Sequence, residues 1–181
     1  MLLELRDVTV EYPTPGRDAS TLKALDHLSL SIEAGEAVCV IGPSGCGKST
    51  ALRLASGLAK PTEGEVLAHG ERIAGPRDDC ALILQDYGLL PWMSVYKNAE
   101  LGLSVRGVEK EERRRRTLEA LERVGLAGFE KAWPSELSGG MQQRLALARA
   151  VAMRADLLLM DEPLSALDAL LREDMQLMLL R

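Results

Sequence analysis

The sequence predicts an α/β fold with a mostly parallel sheet, and three features predict it. Ala37-Val38-Cys39-Val40-Ile41 and Leu157-Leu158-Leu159-Met160 are short unbroken apolar runs, the pattern of strands covered on both faces in a parallel sheet. The first run passes into glycines and then into a helical stretch over about 48–57, a strand–loop–helix unit. Strand-like and helical patterns then follow one another along the rest of the chain.

Residues 3–12 alternate at Leu3, Leu5, Val8, Val10 and Tyr12, and Leu28 to Ile32 alternate again, so both read as half-buried strands. Pro13-Thr14-Pro15-Gly16-Arg17-Asp18 between them is turn chemistry and predicts an exposed loop. Gly64 to Leu67 and Ala81 to Leu84 are further strands, and Val95 to about Leu126 is helical with loops. Glu136 to about Met153 is helical apart from the Ser-Gly-Gly near its start, and Ala166 to Arg181 has helical composition. The final segment has no glycine cap and closes on Leu179-Leu180 before Arg181, which reads as an interrupted chain.

The 181 residues, 46% hydrophobic and 27% charged, suffice for one cored domain over 1–181. Apolar runs fall far short of the roughly 20 residues needed to cross a bilayer, and the N-terminus meets Glu4 too early for a signal peptide. A cytoplasmic protein is expected, any membrane role being peripheral. Cys39, Cys46 and Cys80 lack metal-ligand spacing and read as reduced thiols. A net charge of −5 speaks weakly against nucleic acid as a partner. The dense run Glu109 to Arg116 places acids before bases by three or four residues, as on a solvated helix face.

Gly42-Pro43-Ser44-Gly45-Cys46-Gly47-Lys48-Ser49 fits G-x-x-x-x-G-K-[ST] and lies between a strand signal and a helix signal. Its glycines let successive amides turn toward phosphate oxygens, and the helix N-terminus adds partial positive charge. Lys48 would reach the β- and γ-phosphates, Ser49 would offer a hydroxyl to Mg²⁺, and Thr50 would add a phosphate contact. Asp161 and Glu162 end the apolar run at Met160, where such a nucleotide site needs a metal-binding carboxylate (Asp161) and a base to polarise water (Glu162). Two acids at a strand end also suit a plain solvated exit.

Leu137-Ser138-Gly139-Gly140-Met141-Gln142-Gln143-Arg144 resembles the signature of ATP-binding-cassette ATPases. The resemblance runs from Leu3 to Arg181 and implies a P-loop nucleoside triphosphatase core, an N-terminal antiparallel β lobe and a helical lobe inserted at about 88–153. It also implies that Ser138, Gly139 and Gly140 face the γ-phosphate of ATP on a second ATP-binding subunit in a head-to-tail dimer. Met141 stands where the family often has Gln, and the segment also reads simply as a helix capped by Ser138 with a flexible entry. Tyr12 sits where the family stacks an aromatic on adenine, and also reads simply as a half-buried strand tyrosine. Gln85 matches the glutamine that reaches Mg²⁺ and the attacking water, and Ser165-Ala166-Leu167-Asp168 matches the loop across which the subunits sense each other; Ser165 also suits a helix N-cap.

Gly88-Leu89-Leu90-Pro91-Trp92, with Gly75-Pro76 and Ala166-Leu167-Asp168-Ala169, is most similar to importer subunits for taurine, aliphatic sulfonates and nitrate. This implies a membrane permease as partner, Trp92 with Leu89 and Leu90 anchoring a permease helix or else packing locally, and a periplasmic or extracellular solute-binding protein acting indirectly. The family's switch histidine has no counterpart here: His27 and His69 both lie upstream of Asp161 and read as exposed turn or strand-end residues. The strand that precedes it in the family, between those ending at Ile41 and Met160, is likewise lacking. The chain is therefore expected to be a truncated form, poorly stable and weak or inactive in hydrolysis, with a non-hydrolysing ATP-binding regulatory subunit as the alternative. A soluble cassette acting on ribosomes or DNA would carry a second cassette or a long coiled coil. A small-metabolite kinase would lack the Ser138-Gly139-Gly140 signature.

Overall fold

A computed structural model describes residues 1–14 and 21–162, and its packing separates two units, Met1–Cys80 and the chain from Ala81 onward. In the first, β1 (Leu3–Pro13), β2 (Thr21–Ile32), β3 (Glu63–Ala68) and β4 (Glu71–Arg72) form an antiparallel sheet in the order β2-β1-β3-β4. Central β1 buries Leu3, Leu5, Val8 and Val10, as its alternation requires, and Val66 and Leu67 are buried on β3. The register of β1 slips between Leu5 and Val8 against β2 and between Arg6 and Thr9 against β3. Asp7 takes a positive φ of 50° at this bulge. Gly64 faces it: a Cβ there would stand 2.3 Å from the Asp7 carbonyl oxygen, so only glycine admits the close approach.

The helix α1 (Lys48–Ala55) buries Leu54 and Ala55. It ends in paired bonds from Gly57 N–H to Leu54 O and from Leu58 N–H to Arg53 O, the closure a left-handed glycine permits.

In the second unit, β5 (Cys80–Ile83) pairs with β6 (Leu157–Met160), and the Asp161 amide donates to Ile83 O at 3.0 Å, so the strands run parallel and end side by side. Helices α2 (Val95–Val105), α3 (Lys110–Arg123) and α4 (Gly139–Met153) pack on one another around Val95, Ala99, Leu103, Leu121, Leu145 and Leu147, with a short 3₁₀ turn at Pro134–Glu136. Ser94 caps α2 by accepting from the Lys97 amide, and Glu109 caps α3 by accepting from the Glu111 and Glu112 amides. Both helices close as α1 does, with Gly107 bonded to Ser104 O and Gly125 to Glu122 O. Buried Glu100 of α2 accepts from Lys97 and, at 2.6 Å, from Arg113 of α3, tying the two helices together. Burial alone would raise the Glu100 pKa, but these two cations pull it below the ordinary glutamate value.

Most of the charged run is the predicted solvated face: Arg115 and Arg116 pair with Glu112 one turn away. His27 and His69 are exposed, both at positive φ, and bond Asp7 and Asp79. Cys39 and Cys46 are exposed and Cys80 is buried, and no disulfide joins them. No described helix is long and apolar enough to cross a membrane.

Two expectations need correction. Ala37 to Ile41 is neither a strand nor buried: it has no regular structure, every residue in it is exposed, and Ile41 is 90% exposed. An apolar run becomes a buried strand only with strands beside it, and no described strand pairs with this one. Second, the helix expected from Glu136 starts only at Gly139: Glu136 belongs to the 3₁₀ turn, Ser138 is the N-cap, and Gly139 and Gly140 are themselves helical. Residues 165–169 and the expected helix from Ala166 lie outside the described residues.

Candidate nucleotide site

The first unit carries the glycine-rich loop. Gly45 and Gly47 hold φ at 81° and 97°, in the left-handed region. A Cβ on Gly42 would stand 2.7 Å from Cys46 Sγ and one on Gly47 2.4 Å from the Ala24 carbonyl oxygen, so the loop curls tightly and lies against β2. Lys48 turns its ammonium inward, donating to Gly42 O at 2.9 Å and Pro43 O at 2.8 Å. The N-terminus of α1 has no side-chain cap and no acid in its first turn, so its own residues leave its partial positive charge unanswered. Residues 42–46 are exposed, while Gly47, Lys48, Ser49 and Thr50 are half-buried. Tyr12, 40% exposed near the end of β1, belongs to the same unit and is accessible rather than packed away.

The second unit carries the acids, the glutamine and the Ser-Gly-Gly turn. Because β5 and β6 end together, Gln85 and the pair Asp161-Glu162 leave adjacent strand ends. Gln85 and Glu162 are exposed and Asp161 is half-buried. Glu162 holds a positive φ of 50°, a conformation costing about 1 kcal/mol for a residue with a Cβ. Ser138 accepts from the Met141 amide at 3.3 Å, and Gln142 returns its side-chain amide to Pro134 O and Leu137 O, which fixes the entry to α4. In this unit an amide oxygen at Gln85 and a carboxylate at Asp161, on adjacent strand ends, are hard oxygen donors of the kind that suits Mg²⁺.

Trp92 is 68% exposed while Leu89 packs on the helical core, so the Leu89-to-Trp92 segment divides between local packing and an open surface. Asn98, fully buried, holds this segment: its Oδ1 accepts from the Leu90 amide, and its Nδ2 donates among Leu90 O, Met93 O and Ser94 O. Arg149 of α4 donates to Tyr87 O and Gly88 O, just after Gln85. Sequence reasoning missed both residues. The available signals were an asparagine four places after a helix-capping serine, and one arginine inside the Leu/Ala run from Leu145 to Ala152.

Comparison with known proteins agrees with this geometry. The ABC transporter family profile matches residues 25–165. The chain is 49% identical over 159 residues to a taurine import ATP-binding protein of Burkholderia pseudomallei, covering 88% of this chain and 61% of that one. It is 46% identical over 164 residues to an uncharacterized ABC transporter ATP-binding protein of Methanocaldococcus jannaschii, covering 91% and 61%. An Fe(3+) ions import ATP-binding protein of Pasteurella multocida is 50% identical over 156 residues, covering 84% and 44%. Among solved structures, a dimeric ATP-binding cassette in a post-hydrolysis state with ADP and Pi superimposes with a TM-score of 0.89 at 36% identity, over 98% of this chain and 81% of that one. The fold is that of an ATP-binding cassette. This chain belongs to the ABC transporter family. It spans about three fifths of the length of most of these curated relatives, 61% of both the taurine and the archaeal protein.

Proposed function

We propose that the chain is the nucleotide-binding part of an ATP-hydrolysing subunit that powers an ABC importer, acting at the inner face of the cell membrane with a permease and a second ATP-binding subunit. The observation that carries this is the Gly42–Thr50 loop: curled by its glycines, leading into a helix end without acids or a side-chain cap, with the Lys48 ammonium resting on carbonyls it can exchange for phosphate oxygens.

In this reading Tyr12 stacks on adenine, the amides of Ser44 to Ser49 hold the phosphates, and Lys48 moves from Gly42 O and Pro43 O to the β- and γ-phosphate oxygens. Ser49, Gln85 and Asp161 would hold Mg²⁺, which when bound would neutralise phosphate charge. Glu162 takes the proton of the attacking water as its oxygen bonds the γ-phosphorus and the bond to the bridging oxygen breaks, releasing ADP and phosphate. Ser138, Gly139 and Gly140 address the γ-phosphate held by the second subunit, and the Asp168 loop lies along the same junction. Trp92 offers the permease an exposed aromatic anchor. Likeness to a taurine import protein supports a small anionic solute such as taurine, a sulfonate or nitrate. Solute choice itself rests with the permease and an external solute-binding protein.

Calorimetric titration with MgATP tests the reading. Lys48→Ala is expected to lose at least about tenfold in affinity, as removal of a charge-assisted phosphate contact implies. Equal binding by both proteins would refute it.

A further inference from the structure

Arg149 sits on α4 within a run of buried leucines and alanines, ten residues beyond the glycine that opens the helix. Its Nη1 donates to Gly88 O at 2.7 Å and its Nη2 to Tyr87 O at 2.6 Å. Both acceptors are backbone carbonyls. Burial pushes the guanidinium pKa down and the nearby Asp86 carboxylate opposes this, so the cation is held in a partly desolvated place without an ion pair among the described residues.

The backbone it grips is unusual. Tyr87 and Gly88 both adopt positive φ, 64° and 53°, in succession. The turn is closed by the Tyr87 amide on Leu84 O at 3.0 Å and by the Gly88 amide on Asp86 Oδ1 at 3.3 Å. Two consecutive left-handed residues, one of them a tyrosine, persist only where surrounding contacts over-determine them. Arg149 supplies the pair of charged donors that do so from one side, and Asn98 holds Leu90 and Met93 from the other.

We infer that Arg149 is a positioning residue: it locks the turn after Gln85 to the helix that Ser138 caps, so that these two parts of the nucleotide site move as one piece. It acts through the carbonyls of residues 87 and 88. The inference rests on the reading of Gln85 and Ser138 as parts of an ATP site, but its mechanical half stands without it. A rigid link makes any displacement of α4 by a second subunit arrive at Gln85, and any displacement of the Leu89–Trp92 segment arrive at Ser138.

The test compares the full chain with Arg149→Met and Arg149→Lys. Hydrogen exchange without nucleotide reads the link directly. Arg149→Met is expected to raise exchange of amides 87–90 about tenfold or more, the size implied by loss of hydrogen bonds from a charged donor, with α2 and α3 changed less than about twofold. Arg149→Lys, which can serve one carbonyl at a time, is expected to fall between. Unchanged exchange at 87–90, or an equal rise throughout the helices, would overturn the inference.

Turnover supplies the second readout: Arg149→Met should lower kcat about tenfold at unchanged KM for MgATP, and a raised KM at unchanged kcat would overturn the positioning role. If the unmodified chain binds no MgATP, the nucleotide reading fails while the exchange data still decide the mechanical link. If Arg149→Met does not fold, exchange in Arg149→Lys decides alone: local loosening at 87–90 supports the link, and no change refutes it.

Discussion

Replacing Asn98 with alanine should loosen the segment that presents Trp92, and the structure sets the size of the effect. The side chain is fully buried, with Oδ1 2.8 Å from the Leu90 amide and Nδ2 within 2.9 to 3.2 Å of three carbonyl oxygens. The two Nδ2 hydrogens satisfy those oxygens in part, so alanine strands one amide and at least one carbonyl. At about 1–3 kcal/mol for each buried group left unpaired, the loss lies near 2–4 kcal/mol, since Leu90 is only half-buried and water recovers some of it. Both tryptophans, Trp92 and Trp133, fall in the second unit, so tryptophan fluorescence in urea follows that unit alone. With a slope of about 1–3 kcal/mol/M, the unfolding midpoint should fall by about 0.7 M or more. Asn98→Asp keeps the acceptor for Leu90 but loses the donors, so it should also destabilise. A midpoint for Asn98→Ala within about 0.2 M of the unmodified chain would refute the claim that this residue organises the segment.

Other outcomes follow from the same structure. Asp79 is held down to about 2, chiefly by hydrogen bonds from Arg77 against an opposing burial effect, with His69 adding to the pull. Its folded pKa being depressed, it contributes stability that is present above the unfolded value near 4 and lost as pH falls toward 2. Acid unfolding followed by circular dichroism should therefore show a shallower loss between pH 4 and 2 in Asp79→Asn, which starts less stable, and an unchanged profile would contradict the pairing. Ser138→Ala should cost about 1 kcal/mol in urea, and Ser138→Gly only a few tenths, if the side chain caps α4 as described. Gly64→Ala should destabilise the first unit by more than the ordinary glycine-to-alanine effect of about 1 kcal/mol, because the new Cβ would meet the Asp7 carbonyl oxygen at a position of positive φ. Neutral behaviour in thermal unfolding would mean that the β1 bulge relaxes freely.

Much of the site was legible because its residues obey short-range rules. Gly42 to Ser49 dictates its own turn through glycine conformations, Ser138 caps its own helix, and the run into Asp161 pairs with the run into Gln85 as two apolar strands should. The failures involve partners distant in sequence. Ala37 to Ile41 carries the composition of a buried strand, yet burial belongs to its neighbours, and none of the described strands pairs with it. Arg149 and Asn98 act through carbonyls 61 and 8 residues away, and a carbonyl has no side-chain identity for a sequence pattern to reveal. The fully buried Gln143, whose side-chain amide atoms have no hydrogen-bond partner among the described residues, was equally invisible as an isolated letter in a helical run.

The central proposal is that Gly42–Thr50 binds ATP and that Glu162 serves as the base in its hydrolysis. Its most direct test is steady-state MgATP hydrolysis by this chain beside Glu162→Gln, with nucleotide binding followed in both. Any turnover by the unmodified chain is expected to fall at least about a hundredfold in the variant, the scale of general-base catalysis, while binding persists in both. Equal turnover in the two proteins, or no binding by either, would contradict it.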